Sequence, residues 1–81
     1  MLRLGSRSRR TPAEVVQRAE DFFGPGGLGL RVAERAPARV VLEGGGGGVA
    51  VTAEAGVSGS SVDVVSSEWD VQAREFLDRP G

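Results

Sequence analysis

Few side chains in this chain are equipped for chemistry. Acids fall at Glu43, Glu54 and Asp63 within a stretch of alternating apolar residues. Four arginines, Arg3, Arg7, Arg9 and Arg10, fall within the first ten positions, and five glycines run from Gly44 to Gly48. Carboxylates on neighbouring strands could act as acid and base, or hold Mg²⁺ or Ca²⁺, which take oxygen ligands. The spacing of these three matches no cation-binding loop. On a wet sheet face each keeps an ordinary pKa and makes a poor acid at neutral pH. There is no His and no Cys, which removes the commonest general base, disulfides and thiolate metal sites. Lys is also absent, so no serine has such a base beside it. The sequence therefore predicts no enzyme, no cofactor, and neither catalytic nor metal-binding residues.

The glycine run invites a phosphate-cradle reading, because backbone amides in Gly-rich loops bind anions. Here it joins strand to strand, and no Lys or Ser/Thr follows at P-loop spacing. A hairpin loop is expected. The four early arginines are expected to sit on a flexible tail, residues 1–10, able to touch a polyanion such as RNA, DNA or anionic lipid. Net charge is −1, and beyond residue 10 six Arg oppose eleven acids, so that part is acidic.

Eighty-one residues make one domain. A chain this small buries only about 60–65% of its unfolded surface. No apolar run approaches the length of a membrane span, and the opening residues lack the apolar stretch of a secretory signal. A cytoplasmic protein without a membrane span is expected.

Residues 11–79 are expected to form a single α+β domain. Thr11-Pro12-Ala13-Glu14 has the form of a capping box with Pro at the first helical position. Val15, Val16, Ala19, Phe22 and Phe23 then share one arc of a helix, which Gly24-Pro25 ends, with Gly24 suited to a left-handed cap. Apolar residues alternate at Leu28, Leu30 and Val32, at Val40 and Leu42, at Val49, Val51 and Ala53, and at Val62 and Val64. Period-two alternation marks strands with one buried face. Ser67 is expected to cap a second helix with Trp69, Ala73, Phe76 and Leu77 inward, Arg79 near its end, and Pro80-Gly81 as its stop.

The register follows from parity, because a slip of one residue turns a strand over. Pairing Glu34 with Ala38, Glu43 with Gly48 and Ala55 with Ser60 aligns Val32, Val40, Val51 and Val64 in one row. The loops are then a three-residue turn, Gly44 to Gly47, and Gly56 to Gly59. The expected fold is a two-layer sandwich: helix, four-stranded antiparallel meander, helix, with both helices on one sheet face.

The other face carries two expected rows, Arg31–Val41–Ala50–Val65 and Ala33–Arg39–Thr52–Asp63, with Arg35 at one end of the sheet. An apolar centre rimmed by both signs of charge suits an isologous dimer. The expected interface is Arg31, Arg39, Val41, Ala50, Thr52, Asp63 and Val65.

The stretches Val49-Ala50-Val51-Thr52 and Ser61-Val62-Asp63-Val64-Val65, with the Trp69–Leu77 helix, resemble the closing half of the helix-grip (Bet v 1 or START-like) fold. The resemblance covers under half of the chain and carries over no functional residue. It implies a curved sheet and a long helix around an apolar ligand cavity.

Three functions stay open at this point. The first is a non-catalytic module for self-assembly or a protein partner, using the open sheet face or a sheet edge. The second is a nucleic-acid-associated protein tethered by its arginines. The third is a binder of small apolar ligands between helices and sheet.

Overall fold

The computed structural model describes residues 1–78. The elements in order are β1 (Leu2–Ser8), α1 (Pro12–Phe23), β2 (Arg31–Ala36), β3 (Arg39–Gly44), β4 (Gly47–Gly56), β5 (Gly59–Ser67) and α2 (Asp70–Asp78). The chain is thus an α+β protein built on one antiparallel sheet. That sheet has five strands, in the order β1-β5-β4-β3-β2. The meander is flanked by a strand that the sequence had assigned to a tail. Leu2 to Ser8 pair with Ser66 to Ser60 along the whole of β5.

Thr11 caps α1 as expected. Its hydroxyl accepts from the Glu14 amide, and the Glu14 carboxylate accepts from the Thr11 amide. At the other end Gly24 is extended (φ −76°, ψ −166°) rather than left-handed. The last carbonyls of α1 are instead satisfied by the following turn, with Leu28 N–H donating to Phe22 and Leu30 N–H to Phe23. That turn takes Leu28 and Leu30 out of the first meander strand, which starts at Arg31.

Two of the three expected registers hold. Val40 pairs with Val51, and Val51 with Val64. The β3–β4 turn is tighter than a four-residue loop. Gly44 pairs with Gly47, and Gly45 and Gly46 turn with φ of +60° and +84°, values that two-residue hairpins require and glycine adopts without strain. The β2–β3 register is corrected. Ala36 pairs with Arg39, Arg35 with Val40 and Glu34 with Val41, whereas Val32 pairs with Leu42. The shift between Val32 and Glu34 is a β-bulge, one extra residue on β2. Val32 stays on the core face but leaves the Val40–Val51–Val64 row.

The core face reads Leu2–Ser66–Val49–Leu42–Val32 in one row and Leu4–Val64–Val51–Val40–Arg35 in the next. Val15, Val16, Ala19 and Phe23 of α1 and Ala73 of α2 are buried in the same cluster as those valines. The helices also meet each other, with the Phe76 ring 5.6 Å from Phe22 and 5.4 Å from Phe23.

The second helix begins later than expected. Ser67 is the last residue of β5 and does not cap it. Glu68 turns the chain at φ +68° and α2 starts at Asp70. This turn aims Trp69 back at the sheet, where its Nε1 donates to the Gly44 carbonyl at 2.9 Å. The expected roles of Arg79 and Pro80-Gly81 lie outside the described residues. No helix among the described residues is long and apolar enough to cross a membrane.

Candidate functional site

Strand alternation sends every second residue to the side away from the helices. The central row of that side runs Arg3–Val65–Ala50–Val41–Glu34 from β1 to β2. The next row runs Gly5–Asp63–Thr52–Arg39–Ala36, and the row at the opposite end joins Ser67, Gly48, Glu43 and Arg31. All seven residues expected at the interface, Arg31, Arg39, Val41, Ala50, Thr52, Asp63 and Val65, therefore share one face. Val41, Ala50 and Val65 are half-buried at its centre, and Arg31 and Arg39 are exposed.

The charges are tied in pairs across neighbouring strands. Arg3 Nε lies 3.1 Å from Asp63 Oδ1, Arg39 Nε 3.1 Å from Glu34 Oε2, and Arg31 Nη2 2.8 Å from Glu43 Oε1. Arg39 Nη1 also donates to the Thr52 hydroxyl at 3.0 Å. Exposed pairs of this kind contribute at most about 1 kcal/mol each to stability. Their effect is to hold long side chains in place around the apolar centre.

The bulge changes the membership of this face. It removes Arg35, which turns to the helix side and donates to Glu20 Oε1 at 2.9 Å. It puts Glu34 in place of Arg31 opposite Val41 and Ala36 in place of Ala33 opposite Arg39, and it moves Arg31 to Glu43. The sequence reading missed Arg3 and Glu34 as members of the apolar row. A signal for Arg3 existed: Leu2, Leu4, Ser6 and Ser8 alternate with Arg3, Gly5, Arg7 and Arg9.

The four arginines expected on a mobile tether are built into the fold instead. Arg3 and Arg7 lie on the uncovered face of β1, opposite Val65 and Ser61. Arg9 and Arg10 lie in the β1–α1 connection. The Arg10 carbonyl accepts from the Ser60 hydroxyl at 2.7 Å, its amide donates to Ser8 Oγ, and its guanidinium lies 3.7 Å from Glu14. Arg7, Arg9 and Arg10 line one concavity together with Arg18 of α1, and Arg3 pairs with Asp63.

The volume between sheet and helices is filled by Phe23, Leu30, Leu42, Val16 and the core valines, all with almost no exposure. A half-open concavity of about 220 Å³ lies where β1, α1 and α2 meet, lined by Val15, Val62, Phe76 and Leu77 together with Arg7, Arg9, Arg10 and Arg18. Among the described residues no three acids gather as a metal site would require.

Comparison with protein-family models, curated proteins and solved structures found no match to this chain.

Proposed function

We propose that this chain is a non-catalytic module that self-associates through the uncovered sheet face. The observation that carries this is the central row, Arg3–Val65–Ala50–Val41–Glu34, apolar in the middle with opposite charges at its two ends. A second copy would cover the apolar middle and find charges of either sign at the rim.

The edges are less suited to self-pairing. The bulge blunts β2, as bulges do on exposed edge strands. Two β1 strands paired about Gly5 would set Arg3 against Arg7, and like charges directly opposite are destabilising.

Five strands about 4.8 Å apart, each contributing about 20 Å of length, make a face of roughly 500 Å² before side-chain relief. Stable interfaces bury about 800 Å² per partner. Association in the micromolar range is expected rather than a permanent dimer. The test is solution mass against concentration, with Val41→Glu and Ala50→Arg as variants that should hold the chain monomeric. A wild-type chain that stays monomeric up to high micromolar concentration contradicts the proposal.

A further inference from the structure

The two ion pairs flanking the apolar centre are placed symmetrically about β4 and have opposite polarity. Arg3 and Glu34 lie in the same row, each two strands from β4; Asp63 and Arg39 lie in the next row, each one strand from β4. On one side the arginine is outermost and the acid inner. On the other side the acid is outermost and the arginine inner. Val65 and Val41 flank Ala50 with the same symmetry.

We propose that the second copy docks face to face about a twofold axis running parallel to the strands above β4, so that each Arg3–Asp63 pair closes on the partner's Glu34–Arg39 pair. The proposal rests on self-association through this face. A twofold in that direction exchanges the two sides of the sheet while keeping each row opposite itself. Arg3 then faces the partner's Glu34, Asp63 faces the partner's Arg39, Val65 faces the partner's Val41, and Ala50 and Thr52 face their own copies. Each ion pair becomes half of a four-charge ring, and two such rings flank the valines.

The other in-plane axis does the opposite. A twofold along the Arg3–Glu34 row leaves each strand opposite itself. It stacks Arg3 on Arg3 and Glu34 on Glu34. Moving that axis between the two rows sets Val65 on Asp63 and Val41 on Arg39, burying charge against methyl groups. Aligned sheets pack about 10 Å apart with strands crossing at roughly 30°. Both rows lie near the crossing point, and the length of Arg spans the offset at the edges.

A complementation experiment separates these arrangements. Arg39→Asp gives a chain with acids at both 39 and 63, and Asp63→Arg gives one with arginines at both. At these two positions each alone meets only like charge in the proposed dimer, so its dissociation constant should rise by about tenfold or more, the size of one disrupted close charge pair. Mixed in equal amounts, the two variants meet opposite charge at every position. The mixture should return to within about threefold of the wild-type constant, well under 1.4 kcal/mol. Should a variant of the first set fail to fold, Arg3→Glu and Glu34→Arg form a second: each alone should weaken the dimer as above and their mixture should recover it, whereas an axis along the row already sets like on like in wild type and predicts no loss for either variant alone. Sedimentation equilibrium reads all four variants and both mixtures. If wild type dimerises and neither mixture outperforms its separate components, the axis is wrong while the face remains. If wild type is monomeric throughout, the self-association itself is refuted.

Discussion

Arg35 Nε donates to Glu20 Oε1 at 2.9 Å, joining the outermost strand of the meander to the helix that covers its inner face. In an unbroken β2–β3 ladder, Arg35 would share a side with Arg31 and Ala33. The bulge reverses parity at Glu34, and the pair exists because of it. Replacing either residue by Ala should weaken this attachment. A double-mutant cycle should give a coupling below about 1 kcal/mol, since both side chains remain about one-third exposed (37% and 32%). Amide exchange in β2 should accelerate more than in β4. A coupling of zero with unchanged exchange would show that the contact does not hold the edge.

Glu14 titrates below the usual glutamate range. The Thr11 amide donates to its carboxylate and is the largest cause, followed by the Thr11 hydroxyl and the nearby Arg10 charge. A depressed folded-state pKa contributes stability that is present above the unfolded value, about 4.3, and is lost as pH falls through the lower folded value. Acid should therefore weaken the wild type through this group. Glu14→Gln should flatten that part of the stability–pH curve, measured by urea melts from neutral pH downward. Thr11→Ala should lower stability by about 1 kcal/mol at neutral pH through loss of the cap.

Ser66 is 1% exposed in the core row between Leu2 and Val49, and its hydroxyl has no hydrogen-bond partner among the described residues. A buried hydroxyl without a partner costs about 1–3 kcal/mol in desolvation. Ser66→Ala should raise the denaturant midpoint, by up to about 1 kcal/mol in stability after the lost packing is counted, with an unchanged slope. A lower midpoint would mean that the hydroxyl is satisfied in solution.

Removing residues 1–8 takes away β1, including Leu4 packed against the core, Leu2 on the same side of the sheet and Arg3 on the outer face. The shortened chain should melt at lower temperature and expose β5 as a new edge. Its self-association should either weaken or turn into open-ended aggregation. Unchanged stability after the deletion would return these residues to the role of a tail.

Much of the architecture was legible because valine parity is a strict signal. Val40, Val51 and Val64 admit one register, and the structure adopts it. Two features hid for physical reasons. Strand β1 is short in apolar residues, since Ser6 and Ser8 take inward positions that valines occupy elsewhere, so its alternation reads as polar disorder. The bulge near Ala33 leaves no mark in composition. It replaces an expected three-residue turn with a tight Pro37-Ala38 turn and one extra strand residue, and both solutions keep Val32 inward. The glycine run, the obvious place for an irregularity, pairs regularly. The apolar centre of the outer face followed from the two registers that parity fixed. Its charged ends depended on β1 and the bulge and did not follow.

The most direct measurement is sedimentation of the full chain over a wide concentration range, beside Val41→Glu. Self-association through the uncovered face requires wild-type mass to rise from monomer toward dimer in the micromolar range while the variant remains monomeric with an unchanged far-UV spectrum. Equal masses for the two proteins at every concentration would contradict it.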